Sequence, residues 1–342
     1  MQLYVNTFGT YLHVRDALFE LRVPAGEGAT QVHHFAAKKV TAIVLTVAGA
    51  LSTDALRLAA RHQVDIIYAD RSGQPIGRFW HAKLGSTTAI RRAQLTAGQD
   101  ERGLAWTVTW LTEKLERRAV LLEGLRKHRP KHRETLSDRA EQIRALGRGM
   151  QEIKDRHASI EGAAAGLRGL EGTAGRVYFQ TLSRLLPKKY RFDGRSFRPA
   201  EDAFNAFLNY GYGVLYARVE KALMIAGLDP YVGFLHRDDY NHLSMVYDFI
   251  EPYRVWIDKV VFGLFARQRI REDHYADLAN GVTLVKPGKE LLLTALTDYL
   301  DEKTIRYRRR NLTRAHALQL DAHHFAQTLL GKTPTDGPTI EL

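Results

Sequence analysis

The 342-residue sequence contains no cysteine. A chain without cysteine can form no disulfide and offers no thiolate ligand to zinc. The sequence also lacks an apolar run of the roughly 18–20 residues that a membrane-spanning helix needs. Its first residues, MQLYVNTFGTYLHV, have neither the basic start nor the pure apolar stretch of a signal peptide. Together these absences predict a cytoplasmic protein.

The sequence also contains fewer acidic residues than basic ones. The chain has 38 Asp and Glu against 50 Lys and Arg, which gives a formal net charge of +12. This balance favours a polyanionic partner, nucleic acid first and an anionic membrane second. The alternative is a basic protein that is merely soluble. An apolar content of 45% and the length of the chain are those of a globular protein with room for two domains.

The first part of the chain shows the pattern of a β-rich domain. Short runs rich in Val, Leu, Tyr and Phe follow one another: QLYVN, TYLHVRD, ALFELRV, QVHHF and KVTAIVLTV. STDALRLAARHQ predicts one short helix with Ser52 or Thr53 as its cap. VDIIYADRSGQPIGRFW then returns to strand, with a turn at Ser72 and Gly73. We therefore expect an N-terminal β domain over residues 1–85.

Helical spacing dominates from about residue 88. LAWTVTWLTEKLERRAVLLEGL, SDRAEQIRALGRGMQEI and AFNAFLNYGYGVLYARVEKALMIAG all repeat apolar residues at helical intervals. Residues 126–133, RKHRPKHR, predict a proline-broken connection between helices, and no clear strand pattern follows residue 90. The predicted fold class is α+β: a small N-terminal β-rich domain followed by a larger all-α C-terminal domain over residues 88–342.

One segment combines an imidazole and two acids with apolar neighbours. In GLDPYVGFLHRDDYNHLSMVYDFIEPYR, His236 ends an apolar stretch, and residues 244–251 predict a helix that carries Asp248 and Glu251. Acids three residues apart lie on one helix face and repel each other, and a divalent cation removes that repulsion. One imidazole with carboxylates suits Mn²⁺ or Mg²⁺ better than a structural zinc.

Such a site usually needs a further acid from another part of the chain. Glu171 is the candidate, because the glycines around it in GLRGLEGTAGRVYF leave room for another helix or a phosphate backbone. The alternative is a purely structural role: the two acids of the helix pair with Arg254, and His236 is a core residue whose hydrogen bonds are made within the protein. Spacing alone slightly favours this second interpretation.

Two basic runs, PKKYRFDGRSFRP and RYRRRNLTR, are candidates for DNA binding. Lysine and arginine neutralise phosphates without reading bases. Tyr190 and Tyr307 lie within these runs and could stack on unpaired bases. A solvated helix face is an equally good interpretation of any single residue. The candidate DNA-binding residues are Lys188, Lys189, Arg191, Arg308, Arg309 and Arg310.

Three stretches carry a family resemblance. EGTAGRVYF, NAFLNYGYGVLYARVEKALMIAGLDPYVGFLH and LSMVYDFIEPYR resemble the Cas-one family of CRISPR-associated endonucleases and integrases. The resemblance covers nearly the whole chain, and its motifs are a Glu at a helix start, a Gly-Leu-Asp-Pro turn leading to His, and two acids three apart. It implies metal ligands at Glu171, His236 and Glu251, with Asp248 as the fourth catalytic residue.

The resemblance also implies an activity and partners. The activity is phosphodiester transesterification with Mg²⁺ or Mn²⁺, in which the 3′-hydroxyl of prespacer DNA attacks the border of a CRISPR repeat. The implied partners are double-stranded and branched DNA, a second copy bound through the β domains, and a small ferredoxin-like CRISPR-associated protein. The competing hypothesis is a non-catalytic DNA-binding scaffold whose acids only hold helices together.

Overall fold

The structure is a computed structural model. It describes residues 2–25, 28–40, 42–69, 75–79, 87–236, 242–307 and 309–332. The chain divides into two compact units, Met1–Leu84 and Gly85–Leu342. Each unit has its own hydrophobic core, so each is described by itself.

Two four-stranded sheets and one helix form the described part of the N-terminal unit. One sheet has the order β1-β5-β7-β8, with β1, β5 and β7 parallel and β8 antiparallel to β7. The other has the order β4-β3-β2-β6. The elements are β1 (Gln2–Val5), β2 (Tyr11–Arg15), β3 (Leu18–Ala25), β4 (Ala29–Ala36), β5 (Ala42–Leu45), β6 (Ala50–Leu51), α1 (Thr53–Arg61), β7 (Asp65–Ala69) and β8 (Pro75–Phe79).

The strands and the helix predicted for this unit are confirmed. Apolar side chains that alternate along the strands meet in one core, in which Phe19, Ile43 and Ile66 are fully buried. The cap of α1 is Ser52, whose hydroxyl oxygen accepts a hydrogen bond from the Ala55 amide. The turn predicted at Ser72 and Gly73 lies outside the described residues.

A buried carboxylate joins three strands of the second sheet. Glu20 on β3 is only 1% exposed, and it lies opposite His13 on β2 and His34 on β4. Nε2 of His13 lies 2.8 Å from one carboxylate oxygen of Glu20, and Nε2 of His34 lies 2.8 Å from the other. Arg22 Nε also donates a hydrogen bond to the Glu20 carboxylate at 2.8 Å. The hydrogen bond from Arg22 is the main reason why the pKa of Glu20 falls to about 2. Burial acts in the opposite direction but is the weaker effect.

This lowered pKa predicts an acid-sensitive N-terminal unit. An unfolded Glu titrates near pH 4.3, so the contribution of Glu20 to stability is complete above that pH and is lost as the pH falls toward about 2. We expect Glu20→Gln to lower the melting temperature near pH 6 and to flatten its fall between pH 5 and pH 2.5. Differential scanning calorimetry would show this, with Asp16→Asn as the control for the loss of an exposed negative charge. An equal fall in Glu20→Gln and wild type would contradict the prediction.

The C-terminal unit is mostly helical. Its described helices are α2 (Thr87–Ala97), α3 (Glu101–Leu125), α4 (Arg133–Arg156), α5 (Ile160–Leu185), α6 (Ala203–Ile225), α7 (Ser244–Phe249), α8 (Arg254–Ala266), α9 (Lys286–Thr297) and α10 (Arg314–Leu329). Short 3₁₀ turns fill the proline-broken connection between α3 and α4. Among the described helices, none combines the length and the apolarity of a membrane span.

The α+β fold class is confirmed, with one difference from the predicted all-α domain. Two antiparallel hairpins interrupt the helices: β9 (Tyr275–Leu278) with β10 (Gly281–Leu284), and β11 (Thr304–Tyr307) with β12 (Arg310–Thr313). Four-residue strands are too short to show a clear alternation. Gly281 pairs with Leu278, so the two-residue loop is Ala279-Asn280. The Asn-Gly pair at its end was nevertheless a readable turn signal.

The long helix α3 lies at the centre of the helical core. Its apolar residues recur every three or four positions, and Leu104, Val108 and Leu111 are almost completely buried. The same helix buries three cations, Lys114, Arg117 and Arg118. Lysine and arginine are rarely buried without partners. These three side chains therefore indicate that acidic partners lie close to them.

Candidate active site

Lys114 holds two carboxylates from distant parts of the chain. Its Nζ lies 2.5 Å from Glu171 Oε1 on α5 and forms a second ion pair with Glu251 Oε2. The other oxygen of Glu251 accepts from Arg254 Nε at 2.8 Å. Lys114 and Glu251 are almost completely buried, whereas about a quarter of the Glu171 side chain is exposed. The two acids therefore converge on one positive charge.

Glu171 projects from the middle of a helix into the wall of a cavity. The family resemblance suggested a Glu at a helix start, but α5 begins at Ile160, so Glu171 lies in its fourth turn. A Cβ added at Gly172 or Gly175 would meet nothing within 4 Å, and both glycines line a cavity. The prediction that small residues keep the surroundings of Glu171 open is confirmed.

Asp248 and Glu251 have different partners. The helix predicted over residues 244–251 ends earlier, at Phe249, and Glu251 opens a 3₁₀ turn that contains Pro252. The backbone nevertheless stays helical at Ile250, between the two acids, so their different roles come from different neighbours. Asp248 faces the segment that contains His236, whereas Glu251 faces Lys114 and Arg254.

The buried Asp248 carboxylate fixes the end of the preceding segment. It accepts the backbone amides of Phe234, Leu235 and His236 at 2.5, 3.0 and 3.2 Å. Nδ1 of His236 lies 2.6 Å from the same carboxylate. Asp248 therefore acts as a positioning residue in this structure: it sets both the backbone and the ring of His236.

The charges of the site set the pKa values of two of its members. Burial opposes the charged form of His236, but the hydrogen bond to Asp248 and the charges of Asp248, Glu251 and Glu171 outweigh it, so its pKa lies above the usual value. Burial also opposes ionisation of Glu251, yet the positive charges of Arg254 and Lys114 hold its pKa well below the usual range. The surroundings therefore favour the charged forms of both His236 and Glu251.

These side chains line one cavity of about 600 Å³. Glu171, His236 and Glu251 are all part of its wall, so the structure brings the three proposed ligands to one place. Basic side chains surround them and give the cavity the charge needed to receive phosphate groups. The cations of the wall are Lys114, Arg118, Arg176, Arg195 and Arg254.

The donor set fits a divalent cation. Two carboxylates and one imidazole suit Mg²⁺ or Mn²⁺, and the Lys114 ammonium marks the point at which the acids require positive charge. Within the described residues, no three His, Asp or Glu side chains are already grouped at metal-binding distances. Lys114 lies between Glu171 and Glu251, so an ion held by both acids would have to displace its ammonium group.

Five of the six predicted DNA-binding residues lie on the surface of the helical unit. Lys188 and Lys189 are exposed on a 3₁₀ turn, and Arg191 follows it. Arg309 and Arg310 are exposed at the β11–β12 hairpin, whereas Arg308 lies outside the described residues. Exposure leaves these cations free to approach a phosphate backbone.

The proposed stacking role of two tyrosines is wrong. Tyr190 is buried, and its hydroxyl donates to the Ile270 carbonyl at 2.8 Å. Tyr307 is 1% exposed, and its hydroxyl donates to Asp321 at 2.6 Å. Rings that are enclosed by protein have no free face for a base, so both are core residues.

Sequence reasoning missed three cations of the cavity: Lys114, Arg118 and Arg176. A signal for the first two was present, because they lie four residues apart and share one side of α3 with the apolar residues Leu111, Leu115 and Leu122. Charges within the apolar stripe of a helix indicate buried acidic partners. Arg176 follows Glu171 by five residues and carried no such signal.

Solved structures and sequence relatives define the class of this protein. Its fold is similar to that of a casposase bound to integration product (TM-score 0.79, 23% identity, 98% of this chain and 92% of that one). It is also similar to a chain of a Cas6-RT-Cas1–Cas2 complex (TM-score 0.74, 19% identity). That similarity covers 97% of this chain and 35% of the other chain.

Sequence comparison then gives the family. The family model for CRISPR associated protein Cas1 matches residues 3–298. A CRISPR-associated endonuclease Cas1 from Archaeoglobus fulgidus is 32% identical over 349 residues, which cover 98% of this chain and 99% of that protein. The chain belongs to the CRISPR-associated Cas1 family.

Proposed function

We propose that this protein is a metal-dependent DNA endonuclease and integrase that inserts new spacers into a CRISPR array. One observation carries the proposal: Glu171 and Glu251, from separate helical elements, converge on one buried cation position in a basic cavity that His236 also lines. The endonuclease name of the Archaeoglobus fulgidus relative and the integration product bound to the casposase support it.

The side chains would divide the work of a phosphodiester transesterification. Glu171, His236 and Glu251 would hold Mg²⁺ or Mn²⁺, which when bound polarises the phosphoryl oxygen and stabilises the charge that develops on it. Asp248 keeps the His236 ring in place. Arg176 and Arg195 would neutralise the neighbouring phosphates.

The reaction needs no nucleophile from the protein. The 3′-oxygen of the prespacer forms a bond to phosphorus at the repeat border, and the bond from phosphorus to the leaving 3′-oxygen breaks. The proton of the attacking hydroxyl goes to solvent, and the leaving oxygen takes one up. This chemistry agrees with a sequence that has no cysteine.

Assembly and location follow from the same proposal. We propose that residues 1–85 form the dimerisation domain and residues 88–342 the catalytic domain. A small ferredoxin-like protein would join two dimers on double-stranded or branched DNA, which the similarity to a Cas1–Cas2 complex supports. The protein would act in the cytoplasm, where its DNA substrates lie.

A strand-transfer assay on branched DNA tests the catalytic role. We expect joined product with wild-type protein in Mn²⁺, none in EDTA, and none above background for Glu171→Ala or His236→Ala. Glu161→Ala, which removes an exposed acid from the same helix, should keep wild-type activity. Wild-type activity in both site variants would refute the catalytic role. DNA binding without any metal-dependent product would favour the scaffold hypothesis.

Charge reversal tests the role of the basic hairpin. Each phosphate contact adds about 0.9 to the slope of log K against log salt concentration for duplex DNA. We expect the double variant Arg309→Glu and Arg310→Glu to bind duplex DNA more weakly and to lower this slope by about 1–2. Lys131→Glu with Arg133→Glu, an equal charge change between α3 and α4, is the control. Fluorescence anisotropy at several salt concentrations measures the slope, and an unchanged slope would count against the contact.

A further inference from the structure

A second cavity of about 590 Å³ lies between the C-terminal half of α3 and helix α8. The two cavities share helix α3 but not its residues: Lys114 and Arg118 line the candidate active site, whereas Arg117 and Leu121 line the second cavity. No residue that we assign to catalysis lines the second cavity, so the proposed reaction does not account for it.

The floor of the second cavity is apolar and closed. Leu121, Val255, Trp256 and Phe262 are all less than 10% exposed. The aromatic rings are embedded in the core, so they present no open face on which a nucleic-acid base could stack. A closed apolar floor fits an inserted aliphatic side chain instead.

The rim of the second cavity is basic. Lys127, Arg129, Lys259 and Arg267 line it, and none of them forms an ion pair within the described part of the chain. Among the residues that the structure describes, no Asp or Glu lines the cavity wall. The Arg129 guanidinium lies 5.1 Å from the centre of the Phe262 ring, so positive charge stands directly beside the apolar floor.

The surroundings of the rim disfavour the charged forms of two of its cations, as two lowered pKa values show. Burial lowers the pKa of Arg129. Burial, together with the positive charge of Arg314, lowers the pKa of Lys259. Cations that are partly removed from water and lack an acidic partner are stabilised by an incoming carboxylate.

We propose that this second cavity is the docking site for an acidic segment of a partner protein that inserts one bulky aliphatic side chain. The side chain would cover the floor, and flanking Asp or Glu residues would pair with Arg129, Lys259 and their neighbours on the rim. Buried apolar contact would supply affinity, and the ring of charges would select an acidic sequence.

The chain itself contains a segment of similar chemistry. Residues 333–342, TPTDGPTIEL, combine two acids with Ile340 and Leu342 and lie outside the described residues. The rim carries four cations and this segment has only two acidic side chains, so we assign the cavity to a partner in trans. A chain that ends at Lys332 separates the two sources.

Anisotropy of a fluorescein-labelled peptide, EEDLLEED, tests the site with the full chain. We expect measurable binding, and at least tenfold weaker binding when both leucines of the peptide are serine. Arg129→Glu with Lys259→Glu should weaken binding at least tenfold. Gly263→Leu should do the same by filling the cavity, since a Cβ at Gly263 meets nothing within 4 Å and leucine favours the helix. Gly169→Leu, at an equally open helical glycine outside the cavity, is the matched control and should bind like wild type.

Several results would overturn the proposal. Equal binding of the leucine and serine peptides, or wild-type binding by Gly263→Leu, would show that the apolar floor is not used. A tenfold gain in peptide affinity on removal of residues 333–342 would assign the cavity to the chain's own segment. Loss of ten-nucleotide oligothymidylate binding in the Arg129 and Lys259 double variant, with peptide binding unchanged, would assign the rim to DNA.

Discussion

Asp248→Ala is expected to lower the free energy of unfolding of the helical unit by about 4 kcal/mol and to abolish strand transfer. The carboxylate is 3% exposed and accepts three backbone amides. Each buried donor that loses its acceptor costs about 1–3 kcal/mol, and partial solvation recovers some of the sum. The His236 ring loses its hydrogen bond at the same time, so the proposed ligand set loses its geometry.

Urea unfolding followed by tryptophan fluorescence measures this change. Three of the four tryptophans, Trp106, Trp110 and Trp256, lie in the helical unit, so their signal reports mainly on it. Asp277→Ala removes an exposed acid from the same unit and should be close to wild type in stability and activity. If Asp248→Ala were as stable and as active as wild type, Asp248 would not be the residue that positions His236.

Lys114→Met is expected to destabilise the protein by about 3 kcal/mol in EDTA and to make it more responsive to metal. Methionine keeps the length of the side chain but leaves Glu171 and Glu251 without their shared cation. Removal of one partner from a buried ion pair costs about 3–5 kcal/mol, and Arg254 remains beside Glu251 to limit the loss. Mn²⁺ bound between the two acids of the folded state should restore much of this stability.

Thermal unfolding with EDTA and with Mn²⁺ gives a readout that does not depend on activity. We expect Mn²⁺ to raise the melting temperature of Lys114→Met more than that of wild type, because the ion need not displace an ammonium group. The double variant Lys114→Met with Glu171→Gln should lose most of this extra rise, since one of the two acids is neutral. An equal rise in wild type and Lys114→Met would mean that the metal does not bind between these two acids.

Local features of the fold were predictable from the sequence. The strands of the N-terminal unit and the Ser52 cap depend on residues that are close together in the chain, so period and composition reveal them. The approach of Glu171 to Lys114 depends on packing between helices whose contacting residues are 57 positions apart. Without knowledge of that packing, pairing with Arg254 remained the slightly better explanation of the acids in residues 244–251.

The role of Asp248 lay beyond sequence reasoning for a different reason. Three of its partners are backbone amides, and every non-proline residue has one, so no residue type marks them. Helical spacing predicted that Asp248 and Glu251 lie near each other, but it does not show which neighbours each carboxylate reaches. The two acids have separate roles because Asp248 reaches His236, whereas Glu251 reaches Lys114 and Arg254.

The contact between Asp248 and His236 also decides which nitrogen of the ring can bind an ion. Asp248 is surrounded by donors and is itself only an acceptor, so the proton of the neutral imidazole must lie on Nδ1. The neutral ring is therefore held in the Nδ1–H tautomer, and the lone pair lies on Nε2. One buried carboxylate would thus select the ligand atom of the proposed metal ligand His236, whose ring it holds by a single hydrogen bond.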